Sequence, residues 1–133
     1  MTSKVTYLGN LRANNKHIKS GDEFITDAPI DNNGKGEAFS PTDTVANGLA
    51  TCMITVMGIK ARNMGVDMIG TTAEVTKTMA SGPRRISRID IVLDFPFETD
   101  DNTRKILEKT ANTCPVIYSL HPDIEKNITF NWK

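Results

Sequence analysis

Cysteine is scarce: Cys52 and Cys114 are the only two in 133 residues, and they form no C-x-x-C pair. Histidine is equally sparse, and His17 and His121 lie far apart, so the ligand spacing of a structural zinc site is missing. Neither sign of charge is in surplus, because 16 Lys and Arg balance 16 Asp and Glu scattered along the chain. This argues against a nucleic acid or an anionic membrane as partner, since both require a basic face. No apolar run approaches the ~20 residues needed to cross a bilayer. The opening residues, MTSKVTYLGN, hold no apolar core of signal-peptide length. The expected compartment is therefore the reducing cytoplasm, where two cysteines are reactive or simply buried rather than permanently bridged. Repeats and low-complexity segments are also missing, and the length suits one domain over residues 1–133 with no need of a disulfide staple.

What is present reads as alternating strands and helices. Residues 4–12, KVTYLGNLR, alternate Val5, Tyr7, Gly9 and Leu11 with polar neighbours. ANNKH then supplies turn residues before IKSGDEFITDAP, giving an antiparallel hairpin and a third short strand. IDNNGKGEAF, dense in Asn, Asp and Gly, predicts a loop of about ten residues, a length that invites a role.

A helix start follows, with Ser40 as N-cap, Pro41 in the first turn and Asp43 near the positive end of the dipole. Gly65 is the stop. Between them Val45, Leu49, Cys52, Met53, Val56 and Ile59 form one apolar stripe, and Ala46, Ala50, Ile54, Met57 and Ala61 a second. Such a pattern predicts a helix buried on all sides. Gly48 and Gly58 each cost about 1 kcal/mol relative to alanine, so a close approach to that backbone is expected.

TTAEVTKTM and ISRIDIVLDF then read as two long strands, an antiparallel pair with one buried face. DDNTRKILEKTANT reads as a second helix, broken by Pro115. CPVIYSL restarts a short helix with Cys114 near its N-cap, and KNITFNW is a last strand. The class is α+β.

Local chemistry treats the cysteines differently. Helical side chains lean toward the N-terminus, which sets the Cys52 sulfur over the turn holding Gly48. Cys52 lies about three turns beyond the cap and gains almost nothing from the dipole, so a reactive thiolate there requires a cation. Without one it is a small buried hydrophobe. Cys114, at a helix N-terminus, is by local reasoning the more acidic thiol.

SPTDTVANGLATCM at 40–53 and CPVIYSL at 114–120 together resemble the OsmC/Ohr family, the osmotically induced and organic hydroperoxide resistance proteins. The likeness covers nearly the whole chain. It implies an intertwined α+β homodimer, with antiparallel sheets around a long central cysteine-bearing helix and active sites at the subunit interface. It also implies a thiol-dependent hydroperoxide reductase needing no metal, flavin or haem. Cys52 would attack the peroxide and become a sulfenic acid, Cys114 would condense with it into a disulfide, and an external dithiol would reduce that bond. In relatives a dihydrolipoyl group can serve as that dithiol.

The resemblance further implies an arginine from the N-terminal strands beside the thiolate, and Arg12 is the only arginine before the helix. Its guanidinium could lower the Cys52 pKa and hold peroxide oxygens. PRRISR at 83–88 reads as a solvated strand end. Peroxidase members often carry glutamate directly after the helix-starting proline; here that place is Thr42, with Asp43 one later. Nine residues of helix, roughly 13 Å, separate Asp43 from Cys52, so it could serve a Cys52 site only from the other subunit. The missing glutamate sustains a second reading, a non-catalytic dimer that binds a small apolar ligand or senses redox state. His17 and His121 carry no assigned role, and Trp132 and Tyr118 are expected in the core and interface.

Overall fold

The computed structural model describes residues 1–133, which form two compact units, Met1–Val45 and Ala46–Lys133. In the first, strands β1 (Ser3–Gly9), β2 (Arg12–His17) and β3 (Glu23–Asp27) make an antiparallel sheet in chain order. ANNKH, expected as a turn, is strand β2. The reversal comes earlier, where Asn10 and Leu11 have φ of 55° and 62° and Gly9 pairs with Arg12. Two consecutive positive φ values give the hairpin turn whose twist matches its strands. Cross-strand pairing thus overrides the weak β-propensity of two asparagines. Val5, Tyr7 and Leu8 of this sheet are exposed.

After β3 the chain closes a loop. Ala28 N–H donates to Leu11 O, Gly36 N–H to Ala28 O, and Asp27 N–H to Phe39 O. A single 3-10 turn at Ile30–Asn32 lies inside it. Gly34 passes so near Ala28 that an added Cβ would fall 1.7 Å from the Ala28 carbonyl oxygen. Helix α1 (Pro41–Asn63) then starts on a reciprocal cap. Asp43 N–H donates to Ser40 Oγ at 3.0 Å, and Ser40 N–H donates to Asp43 Oδ2 at 2.9 Å.

The second unit holds the rest of α1, β4 (Thr72–Ala80), β5 (Arg85–Phe95), α2 (Asp101–Ala111), α3 (Pro115–Ser119) and β6 (Glu125–Trp132). Helix α1 stops as expected at Gly65, with φ of 71°. Val66 N–H bonds to Ala61 O and Gly65 N–H to Arg62 O, the paired bonds of a glycine-terminated helix. The sheet order is β4-β5-β6, with β4 antiparallel to β5 and β6 parallel to it. The expected purely antiparallel sheet is therefore mixed, because α2 and α3 supply the long crossover that a parallel neighbour requires.

The core unites Leu49, Met53 and Met57 of α1 with Ile89, Ile91 and Leu93 of β5, Leu107 of α2 and Cys114. Contrary to the expectation of all-round burial, only the face with Ala46, Leu49, Ala50, Met53, Met57 and Ala61 is buried. Val45 and Ile59 are exposed. No atom lies within 4 Å of a Cβ placed on Gly48 or Gly58, so nothing in the chain makes the expected close approach. Nor is α1 too short for a bilayer, as the run-length reading held: its 23 residues are long and apolar enough to cross one. The packing of Leu49, Met53 and Met57 into the core is what a core helix of that composition does. Trp132 stacks on Phe95 at 3.7 Å between ring centroids, joining an aromatic group with Phe97 and Phe130. Tyr118 is exposed.

Leu49→Ala should cost about 2–5 kcal/mol through lost contacts and a partly unfilled cavity. The exposed Thr51→Ala should stay within about 0.5 kcal/mol. Urea denaturation of the two variants measures the difference.

Candidate active site

Core packing sets both thiols. Met53 points into the core, so Cys52, one residue earlier and about 100° around the helix, emerges at its edge and is half-buried. Cys114 is fully buried at the start of α3. Pro115 can occupy the first helical position because its missing N–H would have had no partner there. The Cys114 sulfur accepts from Ile117 N–H at 3.4 Å, a thiol N-cap.

Both cysteines are free, and the Cys52 thiol lies within hydrogen-bonding reach of Cys114. Burial pushes the Cys114 thiol above its ordinary range. The Ile117 N–H pulls the other way, and neighbouring Cys52 adds to the rise. The expectation that Cys114 is the acidic thiol fails on this balance, because desolvation outweighs the cap. Cys114 is held as a neutral thiol.

In the N-terminal unit Arg12 opens β2 directly across from Asp27 at the end of β3. Its Nη2 donates to Asp27 Oδ2 at 3.3 Å and to Glu37 Oε2 at 2.8 Å. Asp27 is almost wholly buried, and the same Oδ2 also accepts Glu37 N–H at 3.1 Å. That backbone bond, with Arg12 contributing, holds the Asp27 carboxyl below its ordinary pKa against the opposing effect of burial.

Comparison with known proteins bears on this arrangement. The family model for OsmC-like proteins matches residues 34–129. The chain belongs to the OsmC-like family. A crystal structure from Psychrobacter arcticus 273-4, assigned to the osmotic stress induced and detoxification response proteins, is 57% identical, with a TM-score of 0.95 over 98% of this chain and 96% of that one. The organic hydroperoxide resistance protein OsmC of Legionella pneumophila shares the fold at 13% identity, with a TM-score of 0.76 and coverage of 98% and 97%. One from Elizabethkingia anophelis does so at 18% and 0.76, covering 100% and 97%. No curated protein sequence matches the chain.

This OsmC-like chain thus brings Cys52 and Cys114 together, and Arg12 to two carboxylates. Asp43 caps α1, where one of its oxygens bonds Ser40 N–H. Sequence reasoning missed Asp27 and Glu37. The available signal was the Asn- and Gly-rich loop, whose far end carries Glu37. Arg88 of the 83–88 segment bonds Asp90 and Glu125 along the strands, drawing the Asp90 carboxyl down to about 2. His17 bonds Ser20 Oγ at 2.6 Å and His121 accepts from Asp123 N–H, both local turn contacts.

Two outcomes follow. Iodoacetamide should modify Cys52 well before Cys114 in the folded protein, read by peptide mass spectrometry; faster labelling of Cys114 would contradict its burial. Asp27 has a folded-state pKa below its unfolded value of about 3.9. Its contribution to stability is therefore full above that value and lost as pH falls through the lower folded one. The urea-midpoint gap between wild type and Asp27→Asn should narrow from pH 7 toward pH 3.

Proposed function

We propose that the chain is a thiol-dependent reductase of organic hydroperoxides. The observation that carries this reading is the pairing of a half-buried Cys52 with a neutral, buried Cys114 inside one packed unit. In the first step the Cys52 thiolate attacks the outer peroxide oxygen. The O–O bond breaks, an alcohol leaves with a proton, and Cys52 becomes a sulfenic acid. Cys114 then condenses with it, forming the disulfide and releasing water. An external dithiol, of which a dihydrolipoyl group is the type, restores both thiols and is itself oxidised to a disulfide. Arg12 is the cation assigned to the Cys52 thiolate and the peroxide oxygens, since its fork of donors suits both.

Two names among the structural neighbours, organic hydroperoxide resistance proteins, point to the same substrate class. The chemistry needs no metal or organic cofactor, and the proposed setting is the cytoplasm. A homodimer is the proposed assembly. Val45 and Ile59 on α1, and Tyr7 and Phe24 on the N-terminal sheet, are exposed apolar side chains that a second copy would cover. The rival reading, a non-catalytic ligand-binding or redox-sensing dimer, draws on Thr42 standing where peroxidase members often carry glutamate.

Consumption of an organic hydroperoxide with dihydrolipoamide separates the two. Wild type should turn over, Cys52→Ser should lose essentially all activity, and Cys114→Ser should stall after one equivalent as a sulfenic acid that dimedone traps. Reduced, folded wild type that consumes no peroxide with any dithiol would sink the reductase reading.

A further inference from the structure

The Cys114 sulfur has two tasks in the reduced protein. It lies within hydrogen-bonding reach of Cys52, and as the N-cap of α3 it accepts Ile117 N–H at 3.4 Å. A covalent bond to Cys52 puts the two tasks in conflict.

A disulfide brings its sulfurs to about 2.05 Å with a torsion of about 90° around the bond. Sulfurs in hydrogen-bonding contact are farther apart, so at least one must move. Cys52 has little freedom to do so, because fully buried Leu49, Met53 and Met57 fix the rotation of α1. The Cys114 backbone is tied to the end of α2 by its own N–H, which bonds Ala111 O at 3.3 Å. What remains is the Cys114 side chain and the turn that follows it. Turning the sulfur toward Cys52 takes it away from Ile117 N–H.

Helix α3 has little else to hold its start. Its five residues are far fewer than an isolated helix needs. Pro115 has no N–H to contribute there. Beyond the cap, Leu120 N–H bonds Val116 O and Ser119 Oγ donates to Pro115 O. Val116, Ile117 and Leu120 are only partly buried against the core, and Tyr118 is exposed. Cys114 itself has no exposure, and Ile117 N–H rests directly on its sulfur, so the first turn of α3 covers that thiol.

We propose that the Cys52–Cys114 bond is a redox switch for α3: the dithiol form caps the helix through the Cys114 sulfur, and the disulfide form releases the cap and loosens the first turn. The two thiols give up two protons and two electrons to a hydroperoxide, which leaves as alcohol and water. That oxidant rests on the reductase reading, whereas the uncapping follows from the bond whatever oxidant forms it. The cover over the sulfurs is thus loose only while there is a disulfide for an external dithiol to reduce.

The test is amide hydrogen exchange of the full chain, resolved at Ile117 by NMR. It compares the dithiol form with protein treated with diamide, which takes the same protons and electrons and becomes a hydrazine. Ile117 N–H should exchange about fivefold faster or more in the disulfide form, as loss of an ordinary cap bond implies, while α1 amides keep their rates. Cys52→Ser should stay slow with or without diamide, since Cys114 then has no partner. Cys114→Ala removes the cap without making a bond and should exchange like the disulfide form. Cys114→Ser keeps a capping oxygen and should stay slow; circular dichroism checks that the variants fold.

Equal exchange at Ile117 in the two wild-type forms would overturn the proposal, as would failure of diamide to join Cys52 to Cys114. Faster exchange in diamide-treated Cys52→Ser would overturn it too, because no bond is there to cause it. The expected exchange in a protein that consumes no peroxide would support the switch and sink the reductase reading alone. Turnover of peroxide with an unchanged Ile117 amide would do the reverse.

Discussion

The constraint on which the rest depends is the apolar seam between α1 and β5. Leu49, Met53 and Met57 recur at helical spacing and are fully buried with Ile89, Ile91 and Leu93, which alternate along the strand. Once that seam is packed, the rotation of α1 about its axis is no longer free. Cys52 must then emerge beside Met53 at the edge of the core, half-exposed, whatever its own chemistry. Cys114 joins the same buried cluster from the start of α3. Two thiols remote in sequence are therefore brought together by hydrophobic packing, with no bond between them needed to hold the geometry.

The seam also divides the work between the thiols. A cysteine at a helix N-terminus ordinarily gains acidity from nearby N–H groups, and Cys114 does accept one from Ile117. Full burial in an apolar cluster opposes that gain and exceeds it. In the proposed reductase, a neutral, enclosed thiol would not compete for oxidant. Cys52, half-buried at the edge of the core, has the exposure that a first encounter with a small molecule requires. Burial and position on a helix thus act in opposite senses at the Cys114 sulfur.

Where the pattern is local and periodic, the sequence discloses the fold. Ser40, Pro41 and Gly65 bracket α1, and β5 shows its buried face in the alternation of Ile89, Ile91, Leu93 and Phe95. Pro115 marks the break before α3. What stayed hidden depends on pairing and counterbalance. β2 reads as a turn because Asn14 and Asn15 favour turns in isolation, yet the real reversal is set by backbone conformation at Asn10 and Leu11. The apolar residues all round α1 suggested complete enclosure, whereas one chain covers only one face. Glu37 lay in a segment flagged only as a loop, and nothing in its neighbourhood names Arg12. That contact exists because the β2–β3 register and the loop bonds bring the two together.

The placement of the acid has a physical reason in the helix start itself. A carboxylate in the first turn of α1 is drawn to unpaired N–H groups, and Asp43 commits one oxygen to Ser40 N–H in a reciprocal cap. Arg12 finds its acids elsewhere: Asp27 faces it across the β2–β3 ladder, almost wholly buried, and Glu37 reaches the same nitrogen from the exposed loop. The fold thereby keeps a paired arginine although Thr42 supplies no acid at the helix start. Breaking the Asp27 contact would strand a buried carboxylate, whereas breaking the Glu37 contact returns one to water, so the two bonds on Arg12 differ in cost.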